Sequence, residues 1–168
     1  MASSITRCLV IGAALFGGLQ AGVTANRGFV LLPAWERLGV ILWANFTRAE
    51  SVGIGALFYP VLGLAALLFT ASAAIAFRLD RRTRSSRSFP VYAAVLLAVT
   101  WATVTRVILL PAMFRLKDVA INPADLQQIF LTVSRWSGVN DFLHVLTFCF
   151  NLWALAVVFS SPKQIAPK

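Results

Sequence analysis

Residues 52–77 read VGIGALFYPVLGLAALLFTASAAIAF, an unbroken run from Val52 to Phe77 without one charged side chain. A helix rises about 1.5 Å per residue and the hydrocarbon core of a bilayer is roughly 30 Å thick, so about 20 apolar residues cross it. Three further stretches reach that length: Cys8 to Pro33, Pro90 to Pro111 and Val139 to Ser160. Together they leave little chain for anything else. Continuous apolar runs exclude a membrane barrel, whose strands alternate lipid-facing and lumen-facing residues over about ten positions. Helices remain the way to satisfy the backbone in lipid. The composition agrees, with 59% hydrophobic and 12% charged residues, against about 25% charged in an average globular chain. The reading is all-α: an integral membrane four-helix bundle, one domain over residues 1–168, with short connections that force neighbouring spans to run antiparallel.

Two amphipathic pieces sit between the spans. From Ala34 to Arg48, Trp35, Leu38 and Leu42 recur at helical spacing, Trp43 follows, and Glu36, Arg37 and Arg48 are interspersed. That pattern predicts an interfacial helix anchored by Trp at the headgroup level. Pro123 to Trp136 opens on Asn122-Pro123, a helix-start signal, ahead of Leu126, Ile129 and Leu131. Orientation follows from Lys and Arg, which stay on the cytoplasmic side of a membrane. The connection after the second span carries Arg78, Arg81, Arg82, Arg84 and Arg87, and the termini add Arg7, Lys163 and Lys168. On the other side Arg37, Arg48, Arg115, Lys117 and Arg135 are diluted by Glu36, Glu50, Asp118 and Asp125. Both termini and the 78–89 loop are therefore expected in the cytoplasm or its organellar equivalent, and both amphipathic pieces outside.

Several classes are set aside. The sequence pI near 11.1 invites a nucleic-acid reading, but the Arg excess is split between membrane flanks rather than gathered on one soluble face. Topology and anionic headgroups account for it. Cys8 and Cys149 fall at different depths, which argues against a disulfide. With one histidine and no Cys-x-x-Cys or His-x-x-x-His spacing, no metal site or other cofactor is expected; haem on a lone axial His144 is the weaker alternative. Arg7 before an apolar run and Val23-Thr24-Ala25 resemble a signal peptide, yet apolar character resumes at Gly28-Phe29-Val30-Leu31-Leu32, so retention of the first span is expected. Ala14, Gly18 and Gly22, four apart, form a small-residue face for close helix packing.

Polar groups placed where lipid penalises them carry the functional reading. Gln20, Thr24 and Arg27 fall at i, i+4 and i+7 in the first span; Thr103 and Arg106 lie beside Trp101 in the third; Asn140, His144 and Asn151 stand at i, i+4 and i+11 in the fourth, with Asp141 one turn before His144. A charge at the centre of a membrane helix costs roughly 2.5 to 3.5 kcal/mol on insertion scales, so such residues face a partner or a wet cavity. Antiparallel order puts Arg27, Arg106, Asp141 and His144 in the non-cytoplasmic half, where one pocket can gather them. Each also has a plainer role: snorkelling for Arg27 and Arg106, packing for His144, helix capping for Asn140 and Asp141, interhelical hydrogen bonding for Gln20, Thr24 and Asn151.

Gly18-Leu19-Gln20-Ala21-Gly22, an apolar segment ending in Pro33-Ala34, Trp43-Ala44, a Thr-rich third span ending at Leu110-Pro111, and Trp136-x-x-x-Asn140 follow one another along the chain. In that order they resemble the anthrone oxygenase family of small four-helix membrane proteins. The family pattern has an Asn two residues past the third-span proline, where this chain has Met113, and an Arg three residues after the fourth-span Asn, where Leu143 stands. The resemblance implies oxidation of an anthrone, a tricyclic phenolic ketone, to an anthraquinone by O₂ without a cofactor. On that footing His144 is the expected base, oriented by Asp141 or Asn140. Arg27 or Arg106 stabilises the oxyanion, and Trp101, Trp136 and Tyr59 stack on the flat substrate. The expected partners are the lipid bilayer, an aromatic small molecule, and other membrane proteins or further copies of the chain. The competing reading is a non-catalytic accessory or assembly subunit of a larger membrane complex, and a transporter or lipid-binding role is a third.

Overall fold

Ser3 starts the first helix by turning its own side chain back on it: the hydroxyl accepts from the Thr6 amide at 3.1 Å, which satisfies one of the orphan donors of the first turn. Helix α1 (Ser4–Asn26) then runs into a five-residue π segment, Arg27–Leu31, and on into α2 (Leu32–Leu38). The computed structural model describes residues 2–52, 54–80, 88–118 and 121–160. Within these, α3 spans Val40–Val52, α4 Gly55–Leu79, α5 Phe89–Val104, α6 Leu110–Arg115 and α7 Pro123–Phe159, with a second π segment, Thr105–Leu109, joining α5 to α6. Every regular element among the described residues is helical.

The two π segments have one cause. A proline lacks the backbone N–H and its ring clashes with the carbonyl four residues back. At Pro33 and Pro111 the helix widens instead of breaking: Leu32 donates five residues back to the Arg27 carbonyl, and Leu110 likewise to that of Thr105. The same tetrapeptide closes both segments, Leu31-Leu32-Pro33-Ala34 and Leu109-Leu110-Pro111-Ala112. Apolar helix thus continues past prolines that the sequence reading took as ends.

Among the described residues, four helices are long and apolar enough to cross a membrane: Ser4–Leu38, Leu57–Leu79, Phe89–Arg115 and Pro123–Phe159. Their direction alternates. At one end the Ser3 amide and the Thr6 hydroxyl donate to Asp80 at the close of α4, at 2.7 and 3.1 Å, and Arg7 lies over the Phe159 ring at the close of α7. At the other, Arg48 of α3 caps two carbonyls beyond α6, with Nε 2.8 Å from the Leu116 oxygen and a terminal nitrogen 2.9 Å from that of Asp118. Helix α1 packs on α4 and α7, and α5 on α7 and α4. The outer faces remain apolar: Leu96 is 69% exposed, Val107 67% and Phe142 62%. Leaving such side chains in water forfeits about 1.5–3 kcal/mol each, so this surface suits acyl chains.

Two expectations are revised. The fourth span and its amphipathic neighbour are one helix of 37 residues, capped by Asn122, whose side-chain oxygen accepts from the Asp125 amide at 2.9 Å. Asn140 and Asp141 are therefore interior residues, not caps. The Ala34–Arg48 piece is divided at Gly39, whose φ of 91° lies in the region glycine alone adopts freely, so Trp35 belongs to α2 and Trp43 to α3. The predicted small-residue face holds at Gly18, where an added Cβ would stand 2.9 Å from the Phe148 ring, and lapses at Gly22, which has open space. Gly12 is the tighter position, where an added Cβ would run into the Phe69 ring. The basic stretch with Arg81, Arg82, Arg84 and Arg87, and Lys163 and Lys168, lie outside the described residues.

Candidate functional site

Two apolar cores bracket a polar layer. Val10, Ala13, Phe77, Val91 and Val158 fill the end near the termini; Trp35, Trp43, Leu116, Ile129 and Phe130 fill the other. Between them α7 presents Asn140, His144, Thr147 and Asn151, all buried, at i, i+4, i+7 and i+11. Thr147, which completes this stripe, was not singled out in the sequence because threonine is ordinary in an apolar helix. Its hydroxyl returns to its own helix, donating to the Leu143 carbonyl at 2.7 Å.

Each member of the layer meets a different neighbour. Asn151 Nδ2 donates to the Ala13 carbonyl at 3.3 Å and to Thr70 Oγ1 at 3.2 Å, stitching α7 to α1 and α4. Its approach explains Gly17, where a Cβ would stand 3.1 Å from that nitrogen. The Thr105 hydroxyl, at the start of the second π segment, donates to Asn140 Oδ1 at 3.3 Å. His144 lies against the indole of Trp101, ring centroids 4.3 Å apart and tilted by 35°.

The ionisable centre is one turn nearer the Trp-rich end. Gly28 lets Asp141 approach the backbone of the first π segment: a Cβ there would stand 2.8 Å from Asp141 Oδ2. Beside it a cavity of about 10 Å³ offers room for the centre of a single water molecule. Its polar wall is Arg27, Ser134, Ser137 and Asp141, and its apolar wall includes Trp35, Trp43 and Met113. Asp141 Oδ2 and Ser134 Oγ are buried without a hydrogen-bond partner among the described residues.

Arg27 is held from its other side. Its guanidinium donates to Glu50 Oε2 at 3.2 Å and lies 5.7 Å from the ring centroids of both Trp35 and Tyr59. The Tyr59 hydroxyl donates to Glu50 Oε1 at 2.6 Å. The network fixes the arginine against the cavity wall by a charge-assisted bond and two aromatic faces.

The predicted constellation is thus divided. Arg27 and Asp141 share the cavity, and Tyr59 reaches Arg27 through Glu50. His144, Trp101 and Asn140 form a neighbouring group that does not line it. Arg106 is exposed, and Thr103 spends its hydroxyl on the Val99 carbonyl. Thr24 donates to its own helix at Ala21, Gln20 Oε1 is buried without a partner among the described residues, and Trp136 is half-buried away from the cavity. Glu50, Gly28, Ser134 and Ser137 are additions. Ser134, Ser137 and Asp141 do carry a signal, i, i+3 and i+7 on one helical face.

Among the described residues no group of three or more His, Cys, Asp or Glu side chains converges as a metal site. The side chains lining the cavity offer one carboxylate, one guanidinium, two hydroxyls and an aromatic wall. Compared with protein-family models, curated proteins and solved structures, the chain matches none.

Proposed function

We propose that the four apolar helices cross a bilayer as a bundle, with both termini and the Arg-rich loop cytoplasmic and α2–α3 lying at the opposite interface. Within it, Arg27 and Asp141 form an acid–base site for oxidation of a planar phenolic substrate by O₂, the activity of the anthrone oxygenase family that the sequence resembles. One observation supports this reading: Asp141, with one carboxylate oxygen unpartnered among the described residues, lines a cavity beside Arg27 on a helix apolar enough to cross a membrane, and an ionisable side chain within such a span is by default a functional-site candidate.

The reaction balances as anthrone plus O₂ giving anthraquinone plus water. Asp141 accepts the proton of the methylene carbon between the rings, and the electron pair spreads onto the ketone oxygen, opposite the Arg27 guanidinium. The anion passes one electron to O₂, and the two radicals join as a C–O bond. The proton returns from Asp141 to the peroxide. Loss of water across that carbon leaves the second carbonyl. Asp141 replaces His144 as base because it, and not the imidazole, borders the cavity. At about 10 Å³ the closed cavity is too small for the ring system, so binding requires the Trp35 and Met113 side chains to turn aside until the methylene carbon reaches Asp141 and the ketone oxygen reaches Arg27.

The test is direct. Purified protein in lipid nanodiscs receives 1,8-dihydroxyanthrone, and quinone absorbance and O₂ uptake are followed against empty discs. One O₂ consumed per quinone, above the blank, is expected; a rate equal to the blank overturns the reading. The small cavity favours a second reading, a non-catalytic subunit that buries its surface against other chains. Isolation at native abundance in mild detergent with a stoichiometric partner, and no anthrone turnover, supports that alternative.

A further inference from the structure

We infer that Arg106 and Arg135 hold the phosphate of an anionic phospholipid in the outer groove between α5 and α7, toward the α2–α3 end of the bundle. The Thr105 hydroxyl reaches Asn140 Oδ1 across the seam of these two helices. Arg106 follows the one and Val139 precedes the other, and both are exposed, so they open onto the outer side of that seam. Arg135, also exposed, stands five residues before Asn140, about 7.5 Å of helix rise nearer the α2–α3 end. Two arginine side chains bridge that interval and can meet on one phosphate.

Depth and charge select the ligand. The rings of Phe89, Phe150 and Trp153 cluster where α5 starts and α7 ends, an aromatic belt of the kind found where hydrocarbon meets headgroups. From Phe89, about 20 residues or roughly 30 Å of helix reach the far hydrocarbon edge near Leu109. Arg106 is within a turn of that edge, a depth from which a long side chain lifts its charge to the headgroups. By the Thr105–Asn140 register the edge crosses α7 near Trp136, next to Arg135. Arg7, Arg27 and Arg48 each have a partner within the chain, whereas neither Arg106 nor Arg135 has a hydrogen bond, ion pair or ring contact among the described residues. An unpaired guanidinium at this depth is costly, and phosphate is the anion a bilayer presents there, in a geometry the arginine fork matches. Toward mid-membrane the exposed Leu96, Val99 and Phe142 offer acyl chains an apolar track. A choline headgroup would bring a further positive charge to the two arginines, so an anionic lipid is favoured. The site rests on the proposed membrane crossing and not on anthrone oxidation.

Native mass spectrometry of the full chain in detergent, titrated with phosphatidylglycerol or with phosphatidylcholine of the same acyl chains, reads the site without turnover. Phosphatidylglycerol is expected to bind the more tightly. Each arginine near a headgroup is worth about a factor of five in affinity for an anionic lipid. Arg106→Gln and Arg135→Gln should each weaken phosphatidylglycerol binding by about that factor, and the double variant should bring it level with phosphatidylcholine. Arg37→Gln, which removes an exposed arginine of α2, should leave it unchanged. Equal binding of the two lipids by the unaltered protein, the result that a groove reserved for a protein partner would give, overturns the inference. So does a loss in Arg37→Gln equal to that in Arg106→Gln, which would mean diffuse attraction to a basic surface. An alkaline carbonate wash of phosphatidylglycerol vesicles separates this from the crossing itself. If the wash strips the unaltered protein, the bundle does not span the bilayer and the site falls with it; if the protein stays but shows no lipid preference, the site alone is overturned.

Discussion

Asp141 is placed by a residue with no side chain. The 2.8 Å between its Oδ2 and a Cβ built on Gly28 leaves no room for alanine, so Gly28→Ala must push the carboxylate off the cavity wall. Stability changes little, because a short side chain yields at its tip, but geometry at the reacting atom does not survive such a shift. Anthrone turnover is expected to fall at least about tenfold, equivalent to about 1.4 kcal/mol of barrier, with the melting temperature in detergent nearly unchanged. An unchanged rate would mean that the carboxylate does not act from where it stands. On the other wall, Glu50→Gln keeps a hydrogen bond to Tyr59 and loses the charge that holds Arg27. The expected result is a lower rate at unchanged fold, measured by turnover beside circular dichroism.

At the scale of elements, α7 is the organiser, since it supplies Asn151 to two neighbours, His144 to Trp101 and Asp141 to the cavity. Interhelical hydrogen bonds in membranes average about 0.6 kcal/mol and reach about 1.7. Asn151→Ala, which removes two, is expected to cost about 1 kcal/mol in reversible unfolding in mixed micelles, without affecting turnover. The π segment at Arg27 is different in kind. It holds one residue more than an α-helical turn spanning the same length, so closing it rotates one half of the helix against the other by about 100°. Pro33→Ala restores the N–H that lets it close, and a higher melting temperature with lower turnover is the expected pair of outcomes. The sequence spelled out helix starts such as Asn122-Pro123 and the buried stripe Asn140, His144, Asn151, because capping and periodicity are local. It did not spell out the π segments, because a proline in an apolar run reads as an end unless the next helix is known to continue. Nor did it show Ser134 and Ser137, which look like solvated positions until Asp141 proves to share their face.

For the molecule as a whole, the apolar runs announced themselves, since length and hydropathy need no partner to be read. What was not legible was azimuth. Arg27 and Arg106 have the same depth by sequence, yet one meets Glu50 and the cavity while the other is exposed, because spacing tells which face of its own helix a residue occupies and not what stands opposite. The proposed topology is checked in a cysteine-free background with a membrane-impermeant thiol reagent: Glu36→Cys should label in intact cells and Ser85→Cys only after lysis, and the reverse pattern would invert the molecule. The central claim is that chemistry resides at the Arg27–Asp141 cavity and not at the neighbouring imidazole. Parallel anthrone turnover by Asp141→Asn and His144→Gln in nanodiscs tests it. A loss of about 10²-fold or more in Asp141→Asn, with His144→Gln within a few-fold of the parent, is predicted; an Asp141→Asn protein that oxidises anthrone at the parent rate contradicts it.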